Sequence, residues 1–122
     1  MFSRKMEPFS KAYTLNQRVL NVHLPWSNST VYWDAGFNGG YDRINKLASP
    51  QDFEGEWNHW AFTKNASTGE MKIFLNGVLW HSGANLDNMM LDIQRFSIGG
   101  ATSWSNFYSC SIDEFAVFNT AL

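Results

Sequence analysis

The sequence predicts an all-β protein, an antiparallel two-sheet β-sandwich of jelly-roll type. Three observations predict it. Apolar and polar residues alternate with period two in run after run. Turn residues separate those runs at short intervals. Almost no stretch carries a helical pattern. The clearest stretch is 57–82, WNHWAFTKNASTGEMKIFLNGVLWHS, which reads as three antiparallel strands in a row. In 57–64, Trp60 and Phe62 fall on one face and His59, Ala61 and Thr63 on the other. Residues 65–69 are a turn cluster. In 71–75, Met71, Ile73 and Leu75 oppose Lys72 and Phe74. Asn76-Gly77 suits a type I′ turn, which needs positive φ at both central residues and matches the twist of the flanking strands. Residues 78–82 are the third strand.

The other elements follow in chain order. Residues 1–17 are polar and weakly patterned, a loop or a frayed lead-in strand. In 18–24, Leu20, Val22 and Leu24 share one face and Val19, Asn21 and His23 the other. Pro25 stops that strand, because it cannot donate to a sheet ladder. Residues 27–30 form a turn, and 30–35 (TVYWDA) return as the second arm of a hairpin. The glycine-rich 36–42 is a loop. Residues 42–47 read as a short strand, 49–56 as a turn-rich connection, and 86–92 as ambiguous with one helical turn. A strand at 95–98 ends at Gly99-Gly100. Residues 101–108 are a loop carrying Trp104 and Phe107. The last strand is 110–118, with Ile112, Glu114, Ala116 and Phe118 on one face. The total is about seven to eight strands in one domain over 1–122.

Composition narrows the function. The chain has 122 residues, 44% of them hydrophobic and 16% aromatic, with six Trp and ten Phe, enough to fill a core. Its net charge of −2 comes with no basic or acidic block, which speaks against nucleic acid and anionic membranes as partners. No apolar run approaches the ~20 residues of a membrane-spanning helix. The N-terminus lacks the apolar segment of a secretory leader, so the chain is either cytoplasmic or a piece of a longer exported protein. Cys110 is alone, which rules out an intrachain disulfide, and it packs as a small hydrophobe.

Several stretches together resemble one family. WNHWAFTKNASTGEMKIFLNG is similar to the W-x-H-x-A-x-T … G-x-x-x-x-Y-x-N-G core of laminin-G-like domains, within the concanavalin A-like lectin/glucanase superfamily. FSIGG followed by SIDEFAVFNTAL resembles that family's closing IGG … G-x-I-D-E-x-x-x-Y/F-N-x-A-L, and NVHLPWSNSTVYWDAG resembles the strand pair before the core. The similarity covers residues 18–122. It implies a concanavalin A-like jelly roll that binds carbohydrate or protein, as a module of a larger extracellular or cell-surface protein. It also implies calcium in many members, in the region matching Asp113. In two respects the chain departs from the family. Members begin with a further strand or two, so the domain reads as shortened at its N-terminus. Cys110 stands where the family tends to have Gly. A missing strand leaves an open sheet edge, and open edges pair with other chains. That reading expects a homodimer or strand exchange.

Catalysis is disfavoured by the residues themselves. Glucanases of the superfamily carry two carboxylates on one strand face, where they flank a glycosidic bond. Here Ser111 occupies the nucleophile position. Asp113 and Glu114 are adjacent, so on a strand they point to opposite faces. No nucleophile elbow accompanies His23, His59 or His81. No His pair has zinc-ligand spacing. Calcium takes hard oxygen ligands, and Asp113, Asp34 and Asp42 are the candidates, with Asp113 and Asp34 the preferred pair. Sugar sites combine aromatic faces with hydrogen-bonding side chains. Trp57 and Trp60 read as core. Trp26 and Trp104 read as exposed, and Tyr41, Asp42, Arg43 and Asn45 carry the polar groups, so these six form the candidate carbohydrate site. The leading expectation is a non-catalytic lectin-like module for glycan or protein. The alternative is a self-association module without a small ligand, and a diverged glycosidase stands third. Asn28-Ser29-Thr30 and Asn65-Ala66-Ser67 are glycosylation sequons.

Overall fold

The structure is a computed structural model and describes residues 10–14, 17–100 and 107–121. The strands are β1 (Ser10–Thr14), β2 (Gln17–His23), β3 (Thr30–Ala35), β4 (Asp42–Leu47), β5 (Trp60–Asn65), β6 (Glu70–Leu75), β7 (Val78–Gly83) and β8 (Arg95–Ile98). They form a five-stranded sheet in the order β4-β3-β2-β1-β8 and a three-stranded sheet in the order β5-β6-β7, antiparallel throughout. The two-sheet architecture of the sequence reading is therefore present. The lead-in contributes more than a frayed end, since β1 lies between β2 and β8.

Alternation puts the apolar set between the sheets. Val22 and Leu24, Val31, Trp33 and Ala35, and Ile44 face Trp60, Met71 and Ile73, all buried. Burying side chains of this size is worth about 1.5–3 kcal/mol each, which fixes the register of the strands that carry them, β2 to β6. Polar links cross the same gap. The Trp33 indole donates to the Thr63 carbonyl at 2.9 Å. Lys46 Nζ donates to the Trp80 carbonyl at 3.0 Å and lies 4.5 Å from the Trp80 ring. Within the three-stranded sheet, Trp60 meets Trp80 edge to face at 5.1 Å.

The Asn76-Gly77 hairpin is as expected, with φ of 52° and 81°. Two bulges are not visible in the period-two pattern. In β2, Leu20 pairs with Ala12 and Arg18 with Tyr13, so Val19 is the extra residue. In β7, His81 pairs with Ile73 and Leu79 with Phe74, which leaves Trp80 extra. A bulge re-aims the side chains around it. Val19 is fully buried and Trp80 turns into the core cluster.

Four expectations need correction. Residues 110–118 form no strand; Glu114 has φ of 54°, which breaks an extended run, and 113–118 are exposed. Tyr108, Cys110 and Ile112 still reach the core. Residues 86–92 form no helical turn and are instead tied down by Leu86 N–H to the Gly69 carbonyl and Phe37 N–H to the Met89 carbonyl, both near 3 Å. Within 49–56 a short helix, α1 (Pro50–Phe53), buries Phe53, opened by Ser49 and Asp52 as a capping box. Trp57 is 64% exposed, because β5 begins only at Trp60.

Candidate functional site

The outer face of the five-stranded sheet carries a polar and aromatic cluster in two rungs. In one, Asn21 pairs with Asp34 and Asp34 with Arg43; in the next, His23 pairs with Tyr32 and Tyr32 with Asn45. These residues alternate with the core set of the same strands, so the cluster and the core are two faces of one alternation. The bulge at Val19 adds Arg18 to the outer face.

Asp34 is the centre of the cluster and is fully buried. Its Oδ1 accepts from Arg43 Nε at 2.6 Å, and its Oδ2 accepts from Arg43 Nη2 at 2.8 Å, Arg18 Nη1 at 3.3 Å and Asn21 Nδ2 at 3.4 Å. A two-point Arg–carboxylate fork is the strongest ordinary ion-pair geometry. The hydrogen bonds to Asp34 hold the Arg43 guanidinium above its ordinary pKa, against the opposing effect of burial. Tyr41 caps both cations, with its ring 4.9 Å from the Arg18 guanidinium and 5.0 Å from that of Arg43. Tyr32 lies 4.6 Å from Arg43 on another side.

Beside the ion pair a cavity of about 230 Å³ is lined by Arg18, His23, Trp26, Tyr32 and Arg43. The loop after β2 sets Trp26 there. Trp26 N–H donates to the Thr30 carbonyl, Ser29 N–H to the Trp26 carbonyl, and Thr30 N–H to Asn28 Oδ1. Asn28 Nδ2 also donates to the Tyr32 hydroxyl at 2.9 Å. His23 lies edge-on to Trp26 at 4.5 Å and to Tyr32 at 5.6 Å.

The candidate residues from sequence divide as follows. Trp26, Tyr41, Arg43 and Asn45 lie on this outer face or its rim, and Trp26 and Arg43 line the cavity itself. Asp42 does not join them. It neighbours Arg43 on a strand and so points the other way, between the sheets, where it pairs with Lys64 Nζ at 2.6 Å and accepts from Asn88 N–H at 2.9 Å. Trp104 lies outside the described residues. Arg18, His23 and Tyr32 were absent from the candidate set. The hairpin register would have paired His23 with Tyr32, but nothing in the pattern signals the bulge that turns Arg18 outward.

The two preferred calcium ligands are not assembled into a site. Asp34 already has both oxygens engaged by two guanidinium groups and an amide, so it does not fit a calcium ligand as it stands. Asp113 is exposed, and its Oδ1 accepts from Glu114 N–H at 2.9 Å. No cluster of three or more His, Cys, Asp or Glu residues occurs among the described residues.

A laminin G family model, described as that of the concanavalin A-like lectin/glucanases superfamily, matches residues 8–122. No solved structure matches the chain. No helix among the described residues is long and apolar enough to cross a membrane.

Proposed function

The chain belongs to the concanavalin A-like lectin/glucanase superfamily as a laminin-G-like domain, and from that premise we propose that it is a non-catalytic binding module whose ligand surface is the outer face of the five-stranded sheet. Such domains are typically extracellular binding modules, which fits a place in a larger exported or surface protein. The observation that carries the proposal is the cavity beside Asp34. Two arginines and three aromatic or imidazole rings converge on it from three strands and a loop, and a buried carboxylate fixes the arginines in place. Ligand sites join an apolar wall to a few placed polar groups in this way. Its volume of about 230 Å³ suits one ring of a larger ligand that runs on across Tyr41 and Asn45. Among the described residues nothing comparable supports a catalytic role: Asp113 and Glu114 are exposed and lie outside any strand.

The test is a titration of oligosaccharide and soluble-protein panels against the wild type, Trp26→Ala and Arg18→Gln, followed by intrinsic tryptophan fluorescence and amide chemical shifts. A ligand of this face loses about tenfold in affinity, or about 1.4 kcal/mol, with either variant. Ligands that bind the wild type and both variants equally would place the function elsewhere.

A second reading has its own observation. Phe96 and Ile98 of β8, and Phe107, Phe115, Val117 and Phe118 beyond it, are exposed, and β8 is an outer strand of its sheet. Exposed apolar edge strands pair with other chains. On this reading the chain self-associates through β8. Light scattering across a concentration range gives a dimer if it does and a monomer if it does not.

A further inference from the structure

We propose that Asn38-Gly39, in the loop between β3 and β4, is a site of spontaneous deamidation in the folded protein, yielding aspartate and isoaspartate, and that Asn76-Gly77 is protected from the same reaction. The chain holds these two Asn-Gly pairs and no other. The pairs are chemically alike, so the difference between them comes from structure.

The reaction needs no enzyme. The backbone nitrogen of the residue after Asn attacks the side-chain Cγ. A new C–N bond forms, the Cγ–Nδ2 bond breaks, and ammonia leaves with the proton of the attacking N–H. Water then opens the cyclic imide at either of its carbonyls. One opening gives aspartate. The other gives isoaspartate, whose main chain runs through the former side chain and is longer by one methylene. Glycine in the second position favours the attack, because it has no Cβ to crowd the nitrogen and its backbone turns freely. The reaction therefore needs a free N–H in the second residue and a side-chain amide free to swing onto it.

Asn38-Gly39 meets both needs. Both residues are exposed, and Gly39 has φ of 70°. A Cβ added at Gly39 or at Gly40 would meet no atom within 4 Å, so this part of the loop stands clear of the body. Among the described residues the Gly39 N–H has no acceptor and the Asn38 side chain no hydrogen-bond partner. The loop is anchored around the pair instead. Phe37 N–H donates to the Met89 carbonyl at 3.0 Å, Asn38 N–H to the Gly40 carbonyl at 2.9 Å, and Asn88 Nδ2 to the same Gly40 carbonyl at 3.2 Å.

Asn76 is exposed as well, so exposure does not separate the two. Its side chain does. Oδ1 accepts from His59 N–H at 2.8 Å, and Nδ2 donates to Oδ1 of the buried Asn58 at 3.0 Å. Asn76 N–H also donates to the His59 carbonyl at 2.7 Å. Both ends of the amide must let go before Cγ can meet the Gly77 nitrogen, and the hairpin between β6 and β7 must open with them. Asn76 thus reacts from locally opened states, which are a small fraction of the folded population.

The products fall beside the outer face. The loop joins the two strands that carry Asp34 and Arg43, and Tyr41, which lies on both arginines, is three residues beyond Asn38. Conversion adds a carboxylate to a chain of net charge −2, and isoaspartate lengthens the backbone next to the Gly40 anchor.

The experiment ages the full chain in mildly alkaline buffer, folded in one arm and unfolded in guanidinium in the other. Tandem mass spectrometry of peptides localises each conversion. Isoaspartate is read separately, by methyl transfer from labelled S-adenosylmethionine with a protein isoaspartyl methyltransferase. In the folded arm Asn38 is expected to convert about tenfold faster than Asn76 or more, because the two hydrogen bonds of the Asn76 amide must break first. In the unfolded arm the two are expected to convert at similar rates. Asn38→Gln is expected to remove both the main product and the methyl acceptance of the folded chain, and its exposed position leaves the fold intact. In the aged ¹⁵N-labelled protein, separated by anion exchange, amide shifts are expected at Gly40, Tyr41 and Asn88. Asn38 that stays intact in the folded arm would overturn the inference, whatever the unfolded arm shows. Asn76 keeping pace with Asn38 in the folded arm would overturn the protection, and methyl acceptance that survives Asn38→Gln would overturn the assignment of the site.

Discussion

Replacing Asp34 by Ala tests whether the outer face is held together by its buried carboxylate. In the native protein Asp34 is fully buried and takes two short hydrogen bonds from Arg43, at 2.6 and 2.8 Å, with longer ones from Arg18 and Asn21. Hydrogen bonds to charged groups are worth about 1.5–3 kcal/mol each, so the two short bonds set a gross loss of about 3–6 kcal/mol. Two effects reduce it. The cost of burying the carboxylate disappears with the carboxylate, and both arginines are partly exposed and turn to water. The net cost is therefore about 2–3 kcal/mol. A domain of this size loses about 3–4 °C in melting temperature per kcal/mol, which gives a drop of about 6–12 °C. Arg43→Ala removes the other partner and is expected to cost more, about 3–5 kcal/mol, since it leaves a fully buried carboxylate with only the longer contacts from Arg18 and Asn21. Urea unfolding of wild type, both single variants and the double variant measures the order and the coupling. The double variant is expected to be no worse than Arg43→Ala. An Asp34→Ala cost below about 0.5 kcal/mol, or a larger cost for Asp34→Ala than for Arg43→Ala, would refute the central role of the fork.

Four other outcomes follow. Gly36 has φ of 79°, and an added Cβ would lie 2.2 Å from the Asn88 carbonyl oxygen, so Gly36→Ala is expected to cost about 2–4 kcal/mol by urea unfolding. Lys64, whose side chain is almost wholly buried, holds Asp42 and the Leu86 carbonyl, so Lys64→Ala is expected to cost about 3 kcal/mol and to speed amide exchange in residues 86–90. Burial, with a smaller contribution from the Lys46 charge, holds the His81 imidazole below its ordinary 6.5. The unfolded chain then binds that proton more readily, so the His81 contribution is complete above about pH 6.5 and is lost as pH falls through the lowered folded value; His81→Gln is expected to flatten the difference between urea midpoints at pH 5.5 and 7.5. Calcium is expected to leave the melting temperature unchanged against a chelator control, because a ligand at Asp34 would have to displace Arg43; a rise of several degrees would overturn that expectation.

Much of the fold was legible because period-two alternation is a strong local signal wherever one face must be dry. The strand 30–35 was legible in full: Val31, Trp33 and Ala35 pack inward, while Tyr32 and Asp34 turn to the other face. The same logic fails where pairing rather than patterning decides. Residues 110–118 alternate well enough to read as a strand, yet a strand exists only where a neighbour supplies a ladder, and a positive φ at Glu114 interrupts the run. Asp42 was grouped with Arg43 because the two are adjacent in sequence. Adjacency on a strand guarantees opposite faces, and Asp42 belongs to the gap between the sheets.

The candidate site shows the limit most clearly at Arg18. By simple alternation Arg18 shares a face with Leu20 and Val22, and would lie in the core. One extra residue, Val19, reverses that assignment and delivers a second cation to Asp34. The bulge has no sequence signature of its own; it is set by the register between β1 and β2, a relation between two segments rather than a property of either. Asp34 explains why the reversal is worth its irregular ladder. A fully buried carboxylate on an outer sheet face needs charge from more than one side, and Arg43 alone covers it from β4 only. With Arg18 reaching it from β2, the carboxylate is closed in and the excess positive charge is left facing the cavity. One shift of register thus brings a second cation onto the carboxylate at the centre of the sheet and leaves the charge around it net positive.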